Sequence, residues 1–339
     1  MYFFSACLLS LHTIGFAGTV QLLLILQGFS NYTRSYMIGT PPRPGLAEIS
    51  LLTGATFVLT NPYDPLASSS LRSSGIPSLI HYLSSDTLFG YRVADLLRMP
   101  SSPPVAVLDT QFIYGETPET RIGLGPASAN FLGEKSRCMG QCFVEGMLST
   151  TEASGGRFIT VDLFTERNEG AGAVFFGMRH DQSAKSPIYT FPPFLPLDYQ
   201  LWTTFVSDII LGEHMLELNG ATTFDIRQPY LLLPVKIADV IAKLLGAIRV
   251  SGSSDPILYQ FPENIDPDEL SELTMQFGTL QIPIRKSMLV NGTLLMIAGQ
   301  DVTRHENAVW ILGVPFLRSA FLALNYDTNE VSIALPNLL

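Results

Sequence analysis

His12, His81, His180, His214 and His305 are the residues of this chain that could ligate a metal or move a proton near neutral pH. None of them opens a His-Glu-x-x-His pattern, and His305-Glu306 has no second histidine one turn later. No catalytic zinc site is indicated, and neither a metal nor another cofactor is expected. A Gly-x-Ser-x-Gly elbow for a nucleophilic serine is absent, as is a phosphate loop ending in Gly-Lys-Ser or Gly-Lys-Thr. Cys138 and Cys142 can bridge only if the local chain departs from a regular helix, so a disulfide and two free thiols are equally open. Acids are plentiful: 30 Asp and Glu stand against 20 Lys and Arg, a formal net charge of -10. That balance, with no basic run, excludes nucleic acid as an expected partner and gives no polybasic hold on an anionic membrane.

The elements that would position such groups are mostly strands. Hydrophobic residues make up 47% of the 339 and charged residues 15%, a composition of packed globular protein large enough for two lobes. Runs rich in Val, Ile, Leu, Phe and Thr recur between Gly, Pro, Ser and Asn clusters. The clearest cover residues 20–26, 48–59, 158–163, 173–178, 204–211, 273–284 and 321–335, an all-β signature. Phe277-Gly278-Thr279 marks a hairpin turn. Ile237, Val240, Ile241, Leu244 and Leu245 repeat at helical spacing between Pro234 and Gly246, which predicts a helix. A shorter helix is expected over residues 143–148.

The N-terminus is apolar, with Arg34 as its first charged residue. Gly15-Phe16-Ala17 has the small-x-small pattern of a signal cleavage site, and the apolar run before it is too short to span a bilayer. A signal peptide over 1–17 is expected, with an uncut anchor over 2–27 as the alternative that would tie the chain to a membrane. Cleavage would remove Cys7 and leave an even cysteine pair. Asn31-Tyr32-Thr33 and Asn291-Gly292-Thr293 are glycosylation sequons usable in a secreted chain. The expected location is extracellular or within the secretory pathway.

A weak internal symmetry organises the rest. An apolar strand reaches Leu52-Thr53-Gly54 in the first half, and Thr222-Thr223-Phe224 reaches Asp225 in the second. Each is followed later by an apolar-Gly element, Ile122-Gly123-Leu124-Gly125 and Ile311-Leu312-Gly313.

These residues resemble the pepsin-like aspartic proteases. Tyr36-Met37-Ile38-Gly39-Thr40-Pro41-Pro42 is similar to the family's N-terminal Ile-Gly-Thr-Pro signature, and Trp310-Ile311-Leu312-Gly313 with Phe316-Leu317-Arg318 to its Ile-Leu-Gly segment. Asn325-Tyr326-Asp327 to Ala334 resembles its final hairpin. Tyr114-Gly115 ahead of Ile122-Gly123-Leu124-Gly125, and Gly172-Ala173-Val174-Phe175-Phe176-Gly177, match in order and spacing. Each motif alone is weak; their order over some three hundred residues is not. The resemblance implies an all-β, bilobal acid-protease fold: two β-barrel-like lobes, 18–185 and 186–339, with a cleft between them and a few short helices.

It also implies a site. In the family an aspartate from each lobe sits at a Thr-Gly loop and the pair shares one proton. The ionised acid activates a water while its protonated mate donates to the developing oxyanion. The first-lobe loop here reads Ser50-Leu51-Leu52-Thr53-Gly54, so Leu52 occupies the position of the first acid. The second reads Phe224-Asp225-Ile226-Arg227-Gln228-Pro229, so Asp225 is retained but the following Thr-Gly is lost. Arg227 is expected to pair with Asp225 and depress its pKa, and Glu48 is expected to lie too far along its strand to compensate. Thr53, Gly54, Tyr82 as the flap tyrosine, and Arg227 would line the substrate cleft. Asp109-Thr110-Gln111 only imitates an acid loop and reads as structural. Val314-Pro315 stands where the family usually has an acid.

Three functions compete at this point. The first is a monomeric pseudoenzyme that holds a peptide or protein ligand in the cleft without cleaving it. The second is an active aspartic endopeptidase with an atypical site. The third is an extracellular pepsin-fold inhibitor or binding protein acting through surface loops.

Overall fold

A computed structural model describes residues 19–27, 31–53, 56–59, 63–81, 87–99, 105–115, 120–126, 143–149, 156–163, 172–194, 201–253, 255–304 and 307–337. The expected signal segment 1–17, Gly54, Tyr82, Cys138 and Cys142 lie outside the described residues. Among the described residues no helix is long and apolar enough to cross a membrane.

The architecture is all-β. Among the described residues four sheets carry it, and their composition follows the two halves of the chain. An eight-stranded sheet is drawn from residues 25–123, and nine- and four-stranded sheets from residues 204–312. The fourth sheet joins the halves. Its six strands run in the order Thr19–Leu23, Ala173–Gly177, Phe158–Asp162, Phe321–Asn325, Val331–Pro336 and Ala184–Phe191. Of the interior strands of this sheet, Ala173–Gly177 is buried at every position. Such runs need apolar residues on both faces, and the uninterrupted Ala173-Val174-Phe175-Phe176 supplies them.

Half-exposed strands show the alternation that one wet face demands. In Leu280–Ile284 the residues Leu280, Ile282 and Ile284 point inward while Gln281 and Pro283 face solvent. It pairs with Leu273–Phe277 through a turn at Gly278, whose φ of 60° suits glycine. The predicted strand over 48–59 is two strands, Arg43–Ser50 and Phe57–Leu59, parted by the bend that carries Leu51 and Leu52.

The helices form at Val235–Leu244 and Phe143–Ser149. The longer one starts behind Pro234 and ends ahead of Gly246, whose φ is 82°. Its inward face is Ala238, Ile241 and Ala242, whereas Val240 and Leu244, which share the apolar helical spacing, are exposed. Close approach to the Leu294–Gly299 strand explains this, because a Cβ added at Gly299 would lie 3.2 Å from the Val235 Cα and 3.5 Å from the Ala238 Cβ. Small side chains fit that gap where larger ones do not.

Both halves repeat one local topology. Arg43–Ser50 runs parallel to Arg121–Gly123, which pairs on its other edge with Phe57–Leu59 in antiparallel fashion. Gly220–Phe224 likewise runs parallel to Asn307–Leu312, which pairs with an antiparallel Leu231–Leu233. In each half a later strand is threaded between two strands whose connecting loop carries the residues singled out above.

Gly313 makes the second crossing possible. A Cβ there would lie 2.1 Å from the Gln228 carbonyl oxygen and 2.4 Å from that of Tyr230, backbone atoms that have nowhere to go. Gly313→Ala is expected to destabilise the protein by about 3 kcal/mol through overpacking. The check is the urea midpoint at unchanged m-value; a midpoint equal to wild type would show that the crossing is loose.

Candidate functional site

Asp225 follows directly on the Gly220–Phe224 strand and is 3% exposed. Its amide donates to the Leu312 carbonyl at 3.2 Å, and its own carbonyl accepts from Gln228 N–H at 3.3 Å, closing the turn. Val314 N–H donates to the Gln228 carbonyl at 2.8 Å, which ties this turn to the one-turn helix Val314–Leu317. Beneath it Phe224 packs on Phe316, and Phe316 on Phe277, with ring centroids 5.7 and 5.6 Å apart. Val314, where an acid was expected from the resemblance, is fully buried in the same core. Ile226 is fully buried as well.

The first-lobe loop reaches Asp225 through its backbone. Leu51 N–H donates to Asp225 Oδ1 at 3.1 Å, a bond that spans 174 residues of sequence. Leu51 buries its side chain in the main core, whereas Leu52 is half-buried. The Leu52 isobutyl group packs with Tyr230 and Leu258 against Leu232, Ala298, Val302 and Ile311, all residues of the second half. Leu52 N–H donates to Ser50 Oγ at 3.2 Å. Thr53 is buried, and its carbonyl accepts from Gly125 N–H at 2.7 Å.

The two loops are not exact mirror images. Gly123 pairs with Ser50, whereas Gly313 follows the Leu312 that pairs with Phe224, so that Asp225 stands beside it. By this ladder Ser50 is the counterpart of Asp225, and Leu52 lies two residues further into the bend. Neither Ser50 nor Leu52 carries a carboxylate.

Charge reaches the site from positions the sequence reading discounted. Arg227 Nε forms an ion pair with Glu48 Oε2, closing the gap between Arg43–Ser50 and the Asp225 turn. Both side chains are largely covered, at 27% and 17% exposed. Arg121 is buried beside Glu48 in the ladder, and its charge also acts on Asp225. Burial pushes the Asp225 carboxyl above the ordinary aspartate range. The Arg227 charge, the Leu51 N–H, the Arg121 charge and the Arg227 N–H oppose that shift without cancelling it. The expected depression by Arg227 is therefore corrected: desolvation outweighs the cations. The expected isolation of Glu48 is corrected too, because alternate residues of a strand project to one face and Glu48 meets the second-lobe turn from there.

Asp109-Thr110-Gln111 lies inside the Val105–Gly115 strand, with Thr110 paired to Asp95. Among the described residues no group of three or more His, Cys, Asp and Glu is placed to hold a metal ion. The site therefore offers one enclosed carboxyl, two guanidinium groups and a second carboxylate that pairs with one of them.

Residues 144–336 match the family model for eukaryotic aspartyl protease. This chain belongs to that family. The matched span takes in the Asp225 turn, the Ile311-Leu312-Gly313 crossing and the closing hairpin, while the first-lobe loop lies ahead of it. No curated protein matches the chain. Arg121 and Glu48 are charged neighbours of the Asp225 turn that motif reading alone did not connect to it. The one available signal for them was their spacing of two and one residues ahead of Ser50 and Ile122.

The raised carboxyl fixes the sign of a pH effect. A group whose pKa rises on folding lends stability below its unfolded pKa and loses it as pH rises through the folded value. The melting-temperature difference between wild type and Asp225→Asn should be most favourable to wild type in acid and should shrink or reverse toward neutrality. Thermal melts across that range check it, and a difference that grows with pH would contradict the burial argument.

Proposed function

We propose that this chain is a non-hydrolytic member of the aspartyl protease family, one that holds an extended peptide or protein segment between its lobes without cutting it. The observation that carries the reading is the environment of Asp225, where a backbone amide and cations act on the carboxyl and no carboxylate stands on the first-lobe loop. Peptide hydrolysis by a shared proton needs two acids, one to take a proton from water and one to donate to the oxyanion. A lone acid cannot perform both roles at once. Loss of one member of a catalytic unit costs several orders of magnitude in rate. Leu52 reinforces the reading, since the residue that the family resemblance sets at the first acid carries an isobutyl group packed in apolar contact with the second half.

The Glu48–Arg227 pair offers a role that survives the loss of chemistry: it ties the first-lobe strand to the second-lobe turn and keeps the two loops together. Extended ligands bound by strand addition depend on such fixed geometry more than on a reactive group. On this reading the chain travels through the secretory pathway as a binding protein.

One observation favours a second reading, an atypical acid endopeptidase. Glu48 and Asp225 act on the same guanidinium group, so Glu48 is the one carboxylate of the first-lobe strand that the fold draws toward the second-lobe acid.

A single assay separates the two. Purified protein incubated with denatured protein substrates at about pH 2 to 6 should release no pepstatin-sensitive fragments, and Asp225→Asn and Glu48→Gln should match wild type. Cleavage abolished by either substitution would replace the first reading by the second.

A further inference from the structure

Two sequons occur in the chain, and the fold treats them differently. Asn31-Tyr32-Thr33 opens the Asn31–Ile38 strand, which pairs on both sides within the eight-stranded sheet, and Tyr32 and Thr33 are 2% and 5% exposed. The threonine whose hydroxyl must be presented to a glycan-transferring enzyme is enclosed once this strand has formed. Asn291-Gly292-Thr293 lies instead at the tip of a hairpin. Val290 pairs with Leu295 and Asn291 with Leu294, which leaves Gly292-Thr293 as a two-residue turn. Asn291, Gly292 and Thr293 are all exposed, Gly292 has a φ of 62°, and a Cβ added to it would meet nothing within 4 Å. The turn is held from behind by Phe261 N–H donating to the Thr293 carbonyl at 2.8 Å, a bond that leaves the outer side of the tip uncovered.

From this contrast we infer that Asn291 is an N-glycosylation site and that the folded chain carries its glycan on this hairpin. The reaction joins the Asn291 side-chain nitrogen to the anomeric carbon of a lipid-pyrophosphate-linked oligosaccharide. The carbon–oxygen bond to the lipid pyrophosphate breaks, and that group leaves with the amide proton. No oxidant or reductant is involved. The hairpin strand Leu294–Gly299 continues to Ala298, which belongs to the cluster that receives Leu52. The four residue steps from Leu294 to Ala298 span about 13 Å at the rise of a strand, which separates a glycan on the tip from the interlobe contact. A polar cover at this end would also shield a hairpin whose turn is otherwise bare, in keeping with the surface placement that glycosylation requires.

The test expresses the full chain in eukaryotic cells and reads the protein from secreted and membrane fractions before and after treatment with a peptide N-glycosidase. Wild type and Asn31→Gln should each lose one glycan's worth of mass on treatment, and Asn291→Gln should lose none. Mass spectrometry of the Asn291 peptide should show conversion to aspartate after treatment. Recovery of that peptide wholly unmodified, whether or not the chain enters the secretory pathway, overturns the inference. So does a glycosidase-sensitive shift of undiminished size in Asn291→Gln.

Discussion

Everything at the centre of this molecule turns on how a carboxyl group is kept out of water. Asp225 lies where the second half's threaded strands meet the first half's loop, and the solvent it gave up is replaced by a backbone amide from Leu51 and the fields of Arg227 and Arg121. Burying an acid without such partners is costly, and even with them the ionised form is disfavoured. The result is an acid tuned away from its ordinary range by enclosure. In a paired site that tuning would belong to a shared proton; in this arrangement it belongs to desolvation alone.

The backbone around the acid is closely packed. Gly313 still permits the backbone of the Gln228–Tyr230 turn to pass against the Leu312 crossing, and the aromatic stack of Phe224, Phe316 and Phe277 still supports it from below. The contact between the halves has an apolar and a charged part. The Leu52 side chain packs against an apolar cluster, and Glu48 meets Arg227, so the loops are held by one hydrophobic and one ionic contact. Removing one member of such a partly covered ion pair leaves the other less well compensated. That ionic contact gives the two loops a structural tie that does not depend on hydrolysis.

Much of the fold was legible because strands and helix ends are local signals. The strand over 158–162, the hairpin about Gly278 and the helix bounded by Pro234 and Gly246 all follow from patterns within a dozen residues. The family resemblance pointed to Asp225, and the fold places that residue beside Gly313. The part that sequence could not supply is what meets across the chain. Glu48 and Arg227 are 179 residues apart, and Leu51 and Asp225 are 174 apart. No periodicity links them. The inward face of the Val235–Leu244 helix is set by a related cause: hydrophobic spacing alone does not show which side a neighbour covers, and the closeness of the strand behind it selects alanines. The two-residue offset between Leu52 and Ser50, the ladder counterpart of Asp225, is likewise a matter of register, which strand sequences specify only through their partners.

The measurement that bears most directly on this account is the titration of the Asp225 carboxyl carbon by NMR, assigned by its absence in Asp225→Asn. A lone enclosed acid gives one transition, displaced upward from ordinary aspartate, with no second step. Two coupled steps, or a transition that moves when Glu48 is replaced by Gln in the manner of a shared proton, would reveal a functioning acid pair and contradict the account.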